Sequence, residues 1–432
     1  MRTFHRLRIA LRASVALVLS AGPLPAVAQT YEFTVKAGKH DRRHTPVRLL
    51  LAESQVQANA RPVLLERAQA AVVSDSSGRQ WAAQLTRPQL LEKTAHRAGM
   101  VVRELHFVLP ALKAGESVRL KAALSPEPPP SGGFAWKDEP GQFAELRFAG
   151  KPVLRYVCQP LDESNKDARE KTNTVYHHLY DPAGTRLVTK GPGGLYSHHR
   201  GLFFGFSRVT YGENQRADTW GCGGQAHESH EGFLAREAGP VLGRHAVKIA
   251  WHGQGKTVFA KEQRELSVYR VPGGQLVEFA SRLATSGGKV KLDGDPQHAG
   301  FHFRAPQEVA DADQKLTWYL RPDGKGRPGD TRNWDAKGRD PRCVNLPWNA
   351  MSFVLGGKRY TALYLDHPAN PKEARYSERF YGRFGSYFEY ELDDGKDLEI
   401  RYRLWLQEGE MTVAEAAAQS AAFVGPAEVV ME

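Results

Sequence analysis

Apolar and polar residues alternate with a period of two along most of this chain. Tyr31, Phe33 and Val35 alternate with polar neighbours, as do Leu105, Phe107 and Leu109. Val247, Ile249 and Trp251 repeat the spacing, and Leu398, Ile400, Tyr402, Leu404 and Leu406 extend it over a longer run. Successive side chains of a strand point to opposite faces, so this period predicts half-buried β-strands. Turn residues separate the runs at Ser77-Gly78, Pro272-Gly273-Gly274, Ser286-Gly287-Gly288 and Asp394-Gly395. Strands joined by turns this short pair antiparallel. One segment departs from the pattern. Thr412 and Glu415 form a capping box, alanine-rich sequence runs to Phe423, and Gly425-Pro426 stops it, which predicts a single C-terminal helix.

The stretch 125–133 reads Ser-Pro-Glu-Pro-Pro-Pro-Ser-Gly-Gly. Proline stiffens it and glycine loosens it, so it reads as a linker. It separates an expected small β-sandwich at 29–124 from an expected large β-sandwich at 134–426. The fold class is therefore mostly β. Ahead of both domains, Arg2, Arg6, Arg8 and Arg12 form a basic region, Val15 to Leu19 a short apolar core, and Ala26-Val27-Ala28 a small-residue end. This is the layout of a secretory signal at 1–28 with cleavage after Ala28, and it places the protein in the periplasm or outside the cell. A spanning helix needs about 20 apolar residues, and no run here supplies them.

Composition changes this picture little. Hydrophobic residues make up 41% and charged residues 25%, the profile of a globular protein. The formal charge of +11 would favour anionic partners, but no basic run interleaved with aromatics marks a nucleic-acid surface. Cys158, Cys222 and Cys343 are too widely spaced for a zinc pattern, and an oxidising compartment permits one disulfide among them.

The histidines carry the candidate chemistry. Tyr196-Ser197-His198-His199-Arg200-Gly201 follows a glycine-rich loop and leads into the apolar run Leu202-Phe203-Phe204. Two imidazoles and a guanidinium at such a junction can donate several hydrogen bonds into a cleft. In Asp295-Pro296-Gln297-His298-Ala299-Gly300-Phe301-His302-Phe303-Arg304, a strand would place His298, His302 and Arg304 on one face and Phe301 and Phe303 on the other. Asp366 and His367 end an apolar run before a proline-rich loop containing Asn370, and a carboxylate and an imidazole there suit acid–base work. Arg379, Tyr381 and Arg383, with Trp220 and Trp334, could stack on sugar rings and hold carboxylates.

On the segments at 41–47, 197–205, 295–300, 366–371, 379–385 and 402–405, the chain resembles a bacterial family labelled methane oxygenase PmoA-like. The activity in that label belongs to a membrane-embedded subunit and does not suit a chain without spanning segments. The chain is also distantly similar to galactose mutarotase-like proteins, large antiparallel supersandwiches that bind sugars in an open groove. That resemblance implies His298 as general acid, Asp366 as general base, and His199 and Arg200 on sugar hydroxyls. It departs at the base, which is a glutamate in those proteins.

The expectation is an exported carbohydrate-active protein working by acid–base chemistry of the epimerase, mutarotase or lyase type. Its catalytic residues would be His298, Asp366 and His199. Substrate would be held by His198, Arg200, His302, Arg304, His367, Asn370, Arg379, Tyr381, Arg383 and Trp220. No cofactor is required. Two alternatives stand beside it: a glycan-binding protein without chemistry, and a hydrolase or lyase using a mononuclear metal held by His198, His199, His298, His302 and His367.

Overall fold

A computed structural model describes residues 29–54, 64–93, 99–129, 132–285, 287–311 and 314–432. The expected signal at 1–28, Ser286 of one turn, and residues 130 and 131 of the proline-rich stretch lie outside the described residues. The protein is mostly β, with large antiparallel sheets.

The first sheet is seven-stranded and uses residues up to Ser125 together with the last strand of the chain, Glu428–Met431. That last strand pairs with Gln29–Lys36, placing Phe33 opposite Met431. No sequence signal beyond Gly425-Pro426 marked it. Phe33, Val35, Leu105, Phe107 and Leu109 are all buried in this unit's core, as their alternation requires.

An eight-stranded sheet and a nine-stranded sheet pack face to face over the second core. The central contact is aromatic. Phe301 of strand Ala299–Arg304 meets Phe279, Tyr402 and Tyr364 of the opposing sheet at ring-centroid distances of 4.3, 4.9 and 5.8 Å. Large apolar rings dominate such a core because each removes much surface from water. The C-terminal helix, Val413–Val424, has the expected capping box between Thr412 and Glu415. Among the described residues no helix is long and apolar enough to cross a membrane. The three cysteines are free thiols, so the disulfide that an exported location permits does not form.

Register decides what faces outward. Phe301 and Phe303 pair with Phe204 and Leu202, all turned into the core. Their neighbour His302 pairs with Phe203 and Gly385, and Arg304 pairs with Arg383. These five residues therefore occupy the opposite, outer face of the eight-stranded sheet. Gly385 is required there: a Cβ at that position would lie 2.7 Å from Cγ of His302 and 2.3 Å from the Phe301 carbonyl oxygen.

Candidate functional site

The outer face of the eight-stranded sheet is covered by the segment 190–200. Its base is pinned by backbone bonds: Lys190 N–H donates to Arg304 O at 3.0 Å, Gly201 N–H to Lys190 O at 2.8 Å, and Arg304 N–H to Gly201 O at 2.8 Å. Between these pins the chain rises over the sheet through Gly193 and Gly194, both at positive φ. The Lys190 ammonium turns into the loop and donates to the carbonyls of Gly191, Gly193 and Tyr196. Burial, with Arg304 and Arg200 nearby, pushes this lysine down to about 8.

Beneath the loop the imidazoles converge. The His199 ring lies 4.3 Å from His198, 6.5 Å from His298 and 5.9 Å from Trp220, and stacks toward Tyr381 at 6.3 Å. Both of its ring nitrogens are buried without a hydrogen-bond partner. Burial, followed by Arg383, His198, Arg304 and His302, holds it neutral, far below the usual histidine range. His198 is half-buried and pushed down to about 4 by burial and by His298.

His302 is fully buried and neutral. It donates from Nε2 to Ala299 O at 2.9 Å and accepts at Nδ1 from Arg383 Nη1 at 2.9 Å. Arg383 also donates to Ser377 Oγ at 3.1 Å. The Arg304 guanidinium lies over the Tyr381 ring at 4.9 Å and donates to the carbonyls of Ala305 and Tyr381. Burial pushes Arg304 down to about 10.

His298 differs from the other imidazoles in being accessible, with 43% of its side chain exposed. The strand begins at Ala299, so His298 sits in the preceding turn and not in the strand itself. Asp295-Pro296-Gln297-His298 closes that turn with a bond from His298 N–H to Asp295 O at 3.0 Å, and proline at the second position presets it. The same turn brings His298 Nδ1 to 3.0 Å from Asp295 Oδ1. The carboxylate can only accept, so Nδ1 carries the proton and Nε2 is left to act on a ligand. Burial raises the Asp295 carboxyl, but the bonds from His298 and the Gln297 N–H, with the charge of Arg208, together hold the group below its usual value. An imidazole oriented by a carboxylate is the arrangement that general acid–base chemistry needs.

Several expected site residues fall elsewhere. Asp366 ends strand Lys358–Asp366 of the nine-stranded sheet and is buried. It shares a face with Tyr364, which looks into the core between the sheets. His298 lies beyond the outer face of the eight-stranded sheet, so the two are not paired. The Asp366 carboxylate instead accepts from Asn370 Nδ2 at 2.7 Å and Lys372 Nζ at 3.2 Å. Asn370 completes that corner by bonding both backbone polar groups of Arg401 at 2.7 Å. His367 packs its ring on Phe423 of the C-terminal helix at 5.1 Å.

Arg200 is buried too, donating to Asn173 Oδ1 at 2.7 Å and to the Glu170 carbonyl, which ties the loop to the helix Lys166–Thr172. Trp220 is a buried wall against Phe203 and His302 and not a surface platform. Arg379 is half-buried at the edge, donating to Asn333. Trp334 lies under Arg375 at 4.3 Å.

The five imidazoles proposed for a metal do not converge. Both nitrogens of His302 are engaged, and His367 follows a strand of the nine-stranded sheet and packs on Phe423. Among the described residues no group of three or more His, Cys, Asp or Glu side chains is placed to hold an ion. A cleft of about 770 Å3 also opens between the first sheet and the nine-stranded sheet, lined by Arg48, Glu278, His367, Arg401 and Arg403. Its charges are satisfied internally: Arg48 bonds Glu104 at 2.8 Å and Arg403 bonds Glu278. Such pairs leave little for a ligand, so the candidate site is the histidine face.

Sequence reasoning missed Asp295 as the partner of His298, Lys190 as the loop anchor and Tyr196 as its cover. Asp295 was legible as an Asp-Pro-x-His turn. The other two depend on how the loop folds back.

These features define an antiparallel β protein with a cationic, histidine-rich site on the outer face of one sheet. A family described as one of unknown function, DUF6807, matches residues 144–421, and the chain belongs to it. This corrects the resemblance drawn from the motifs: the matching family is this one and not the PmoA-like family. No curated protein matches. Two solved structures are similar over 93% of the chain. One is an alpha-mannosidase from Enterococcus faecalis V583, with 10% identity and a TM-score of 0.44 over 46% of that protein. The other is a protein in the glycosyl hydrolase family 38 from Enterococcus faecalis, with 9% identity and a TM-score of 0.42 over 47% of it. The chain spans about half the length of either. Likeness at this level ties neither the site nor its chemistry to those proteins.

The buried imidazoles also make acid stability testable. His178, on the same outer face, bonds Thr189 Oγ1 at 3.0 Å, and burial together with Arg155 pushes it down to about 4. An unfolded histidine titrates near 6.5. A folded value below the unfolded one means that unfolding takes up a proton between them. The contribution of His178 is therefore complete above about 6.5 and is lost as pH falls toward 4. Replacing it in His178→Gln is expected to flatten melting temperature against pH across that window. An unchanged slope would count against the buried neutral imidazole.

Proposed function

We propose that the face beneath segment 190–200 binds a carbohydrate and that His298 moves a proton on it. One observation carries this reading: His298 is half-exposed, held at Nδ1 by Asp295, with Nε2 directed away from that bond. The imidazole takes a proton from the substrate, and Asp295 stabilises the imidazolium that forms. Tyr196 and Phe380, 48% and 42% exposed, supply apolar faces on which a sugar ring stacks. The protein acts outside the cytoplasm, a reading that rests on the basic and apolar pattern of residues 1–28.

The test is proton NMR in D2O with a panel of neutral and acidic hexoses. It reads anomer interconversion, exchange of carbon-bound hydrogen for deuterium, and formation of a ring double bond. One of these is expected to accelerate with catalytic amounts of protein. A second reading, glycan binding without chemistry, is favoured by the same exposed Tyr196 and Phe380. It predicts ligand-induced shifts with none of the three reactions. If no sugar perturbs the protein spectrum, both readings fall.

A further inference from the structure

We infer that the ligand of this site carries an oxyanion, held by Arg304 and Arg383 beneath segment 190–200. The inference rests on the carbohydrate reading above and names the class of sugar. It starts from a contrast among the buried arginines.

Arg244 lies 3.5 Å from a carboxylate oxygen of Glu104 and 3.6 Å from one of Glu237. Arg264 bonds Glu262 at 2.8 Å. Arg321 is clamped in two bonds by Glu378. This is the ordinary solution, because taking a guanidinium out of water without a counter-charge costs several kcal/mol. Arg304 and Arg383 are each 0% exposed, yet among the described residues neither forms an ion pair. Their partners are neutral: carbonyls for Arg304, and the His302 imidazole with the Ser377 and Tyr381 hydroxyls for Arg383.

Donors are also left over. Arg304 Nε and Nη2, Arg383 Nε and Trp220 Nε1 are buried with no acceptor. Arg304 pairs with Arg383 across neighbouring strands, and both Arg383 and Trp220 border His302, so these unused donors belong to one face of the sheet. Buried polar groups are usually bonded, and a cluster of unpaired donors points to a missing acceptor. The carboxylates nearby are engaged elsewhere. Glu170 accepts from the Ser197 hydroxyl, Asp311 from Gln307 Nε2 at 2.7 Å, and Asp218 from the backbone N–H groups of Trp220 and Gly221 at 3.0 and 2.7 Å. His199 and His302 are neutral and add no positive charge that would repel the guanidinium pair.

A planar guanidinium with free adjacent N–H groups matches an oxyanion in two parallel bonds. On a sugar that group is the carboxylate of a uronic acid or a sulfate ester. Tyr196 lies over Tyr381 at 5.1 Å and over His199 at 5.4 Å, so the ligand reaches the arginines when this segment lifts.

The experiment titrates the full chain with D-glucuronate and D-galacturonate, each beside its uncharged methyl ester, and with glucose 6-sulfate beside glucose, at fixed ionic strength. Calorimetry or NMR gives each Kd. At least one charged member is expected to bind about tenfold or more tightly than its neutral counterpart, the equivalent of one charge-assisted bond. Which member gains identifies carboxylate or sulfate. In Arg304→Met the advantage of the charged member over its neutral counterpart is expected to vanish, and near-ultraviolet circular dichroism confirms the fold. Equal binding of charged and neutral members by the wild-type chain overturns the oxyanion and leaves the carbohydrate reading standing. Binding of none of them overturns that reading as well.

Discussion

His298→Ala is expected to reduce turnover by about 10^2 to 10^4, the range a positioned acid–base group contributes, while leaving the melting temperature within a degree or two. The side chain is 43% exposed and its one strong partner is Asp295 at 3.0 Å, so its removal opens no cavity and strands no deeply buried charge. Asp295→Asn tests the same pair differently. It keeps the turn but replaces the carboxylate that stabilises the imidazolium, so its cost is expected to fall mainly on kcat. Asp366→Asn is the control. That carboxylate binds Asn370 and Lys372 inside the core, so its replacement is expected to lower stability and leave kcat in place. Steady-state kinetics on the substrate found by the NMR panel, with thermal melts, separates these outcomes. Full activity in His298→Ala would remove it from the chemistry, and lost activity in well-folded Asp366→Asn would restore the pairing that the structure does not show.

Phe301→Ala is expected to destabilise the protein by about 3–5 kcal/mol, a large share of the roughly 5–15 kcal/mol that holds a typical protein folded. Phe301 is fully buried and its ring touches Phe279, Tyr402 and Tyr364 at the centre of the sandwich. Truncation loses transfer free energy and leaves a cavity that rings fixed in two opposing sheets cannot close. The strand that carries Phe301 inward carries His302 and Arg304 outward, so loosening the core also loosens the site. Urea unfolding measures the effect through its midpoint, and a loss below about 1 kcal/mol would show that the two sheets do not depend on this contact.

The inward aim of Phe301 and Phe303 and the outward aim of His302 and Arg304 were legible from alternation, because strand geometry is local. The helix capped by Thr412 and Glu415 was legible for the same reason. Other assignments failed at the point where locality ends. His298 falls in a turn because its backbone N–H closes on Asp295 O, so the strand starts at Ala299, one residue later than expected. Asp366 and His298 each resemble catalytic residues in their own segments. Their relation depends on which face of which sheet each occupies, and no spacing in the chain records that. Trp220 looked like a sugar platform and is a buried wall, since its exposure was set by how residues 218–222 return to Phe203 and His302.

By itself, then, the sequence determined the mostly β class, the strand faces and the terminal helix, and it pointed to the histidine segments of the candidate site. These follow from periodicity and turn chemistry within a few neighbouring residues. Only the tertiary structure brought the 190–200 loop, the 295–298 turn and the outer face of one sheet together as a candidate site. It also excluded Asp366, His367 and Asn370 from that site and left Arg304 and Arg383 without carboxylates. Those outcomes depend largely on contacts between distant segments, such as Arg383 with His302 and Lys190 with Arg304, which are set by sheet order and packing.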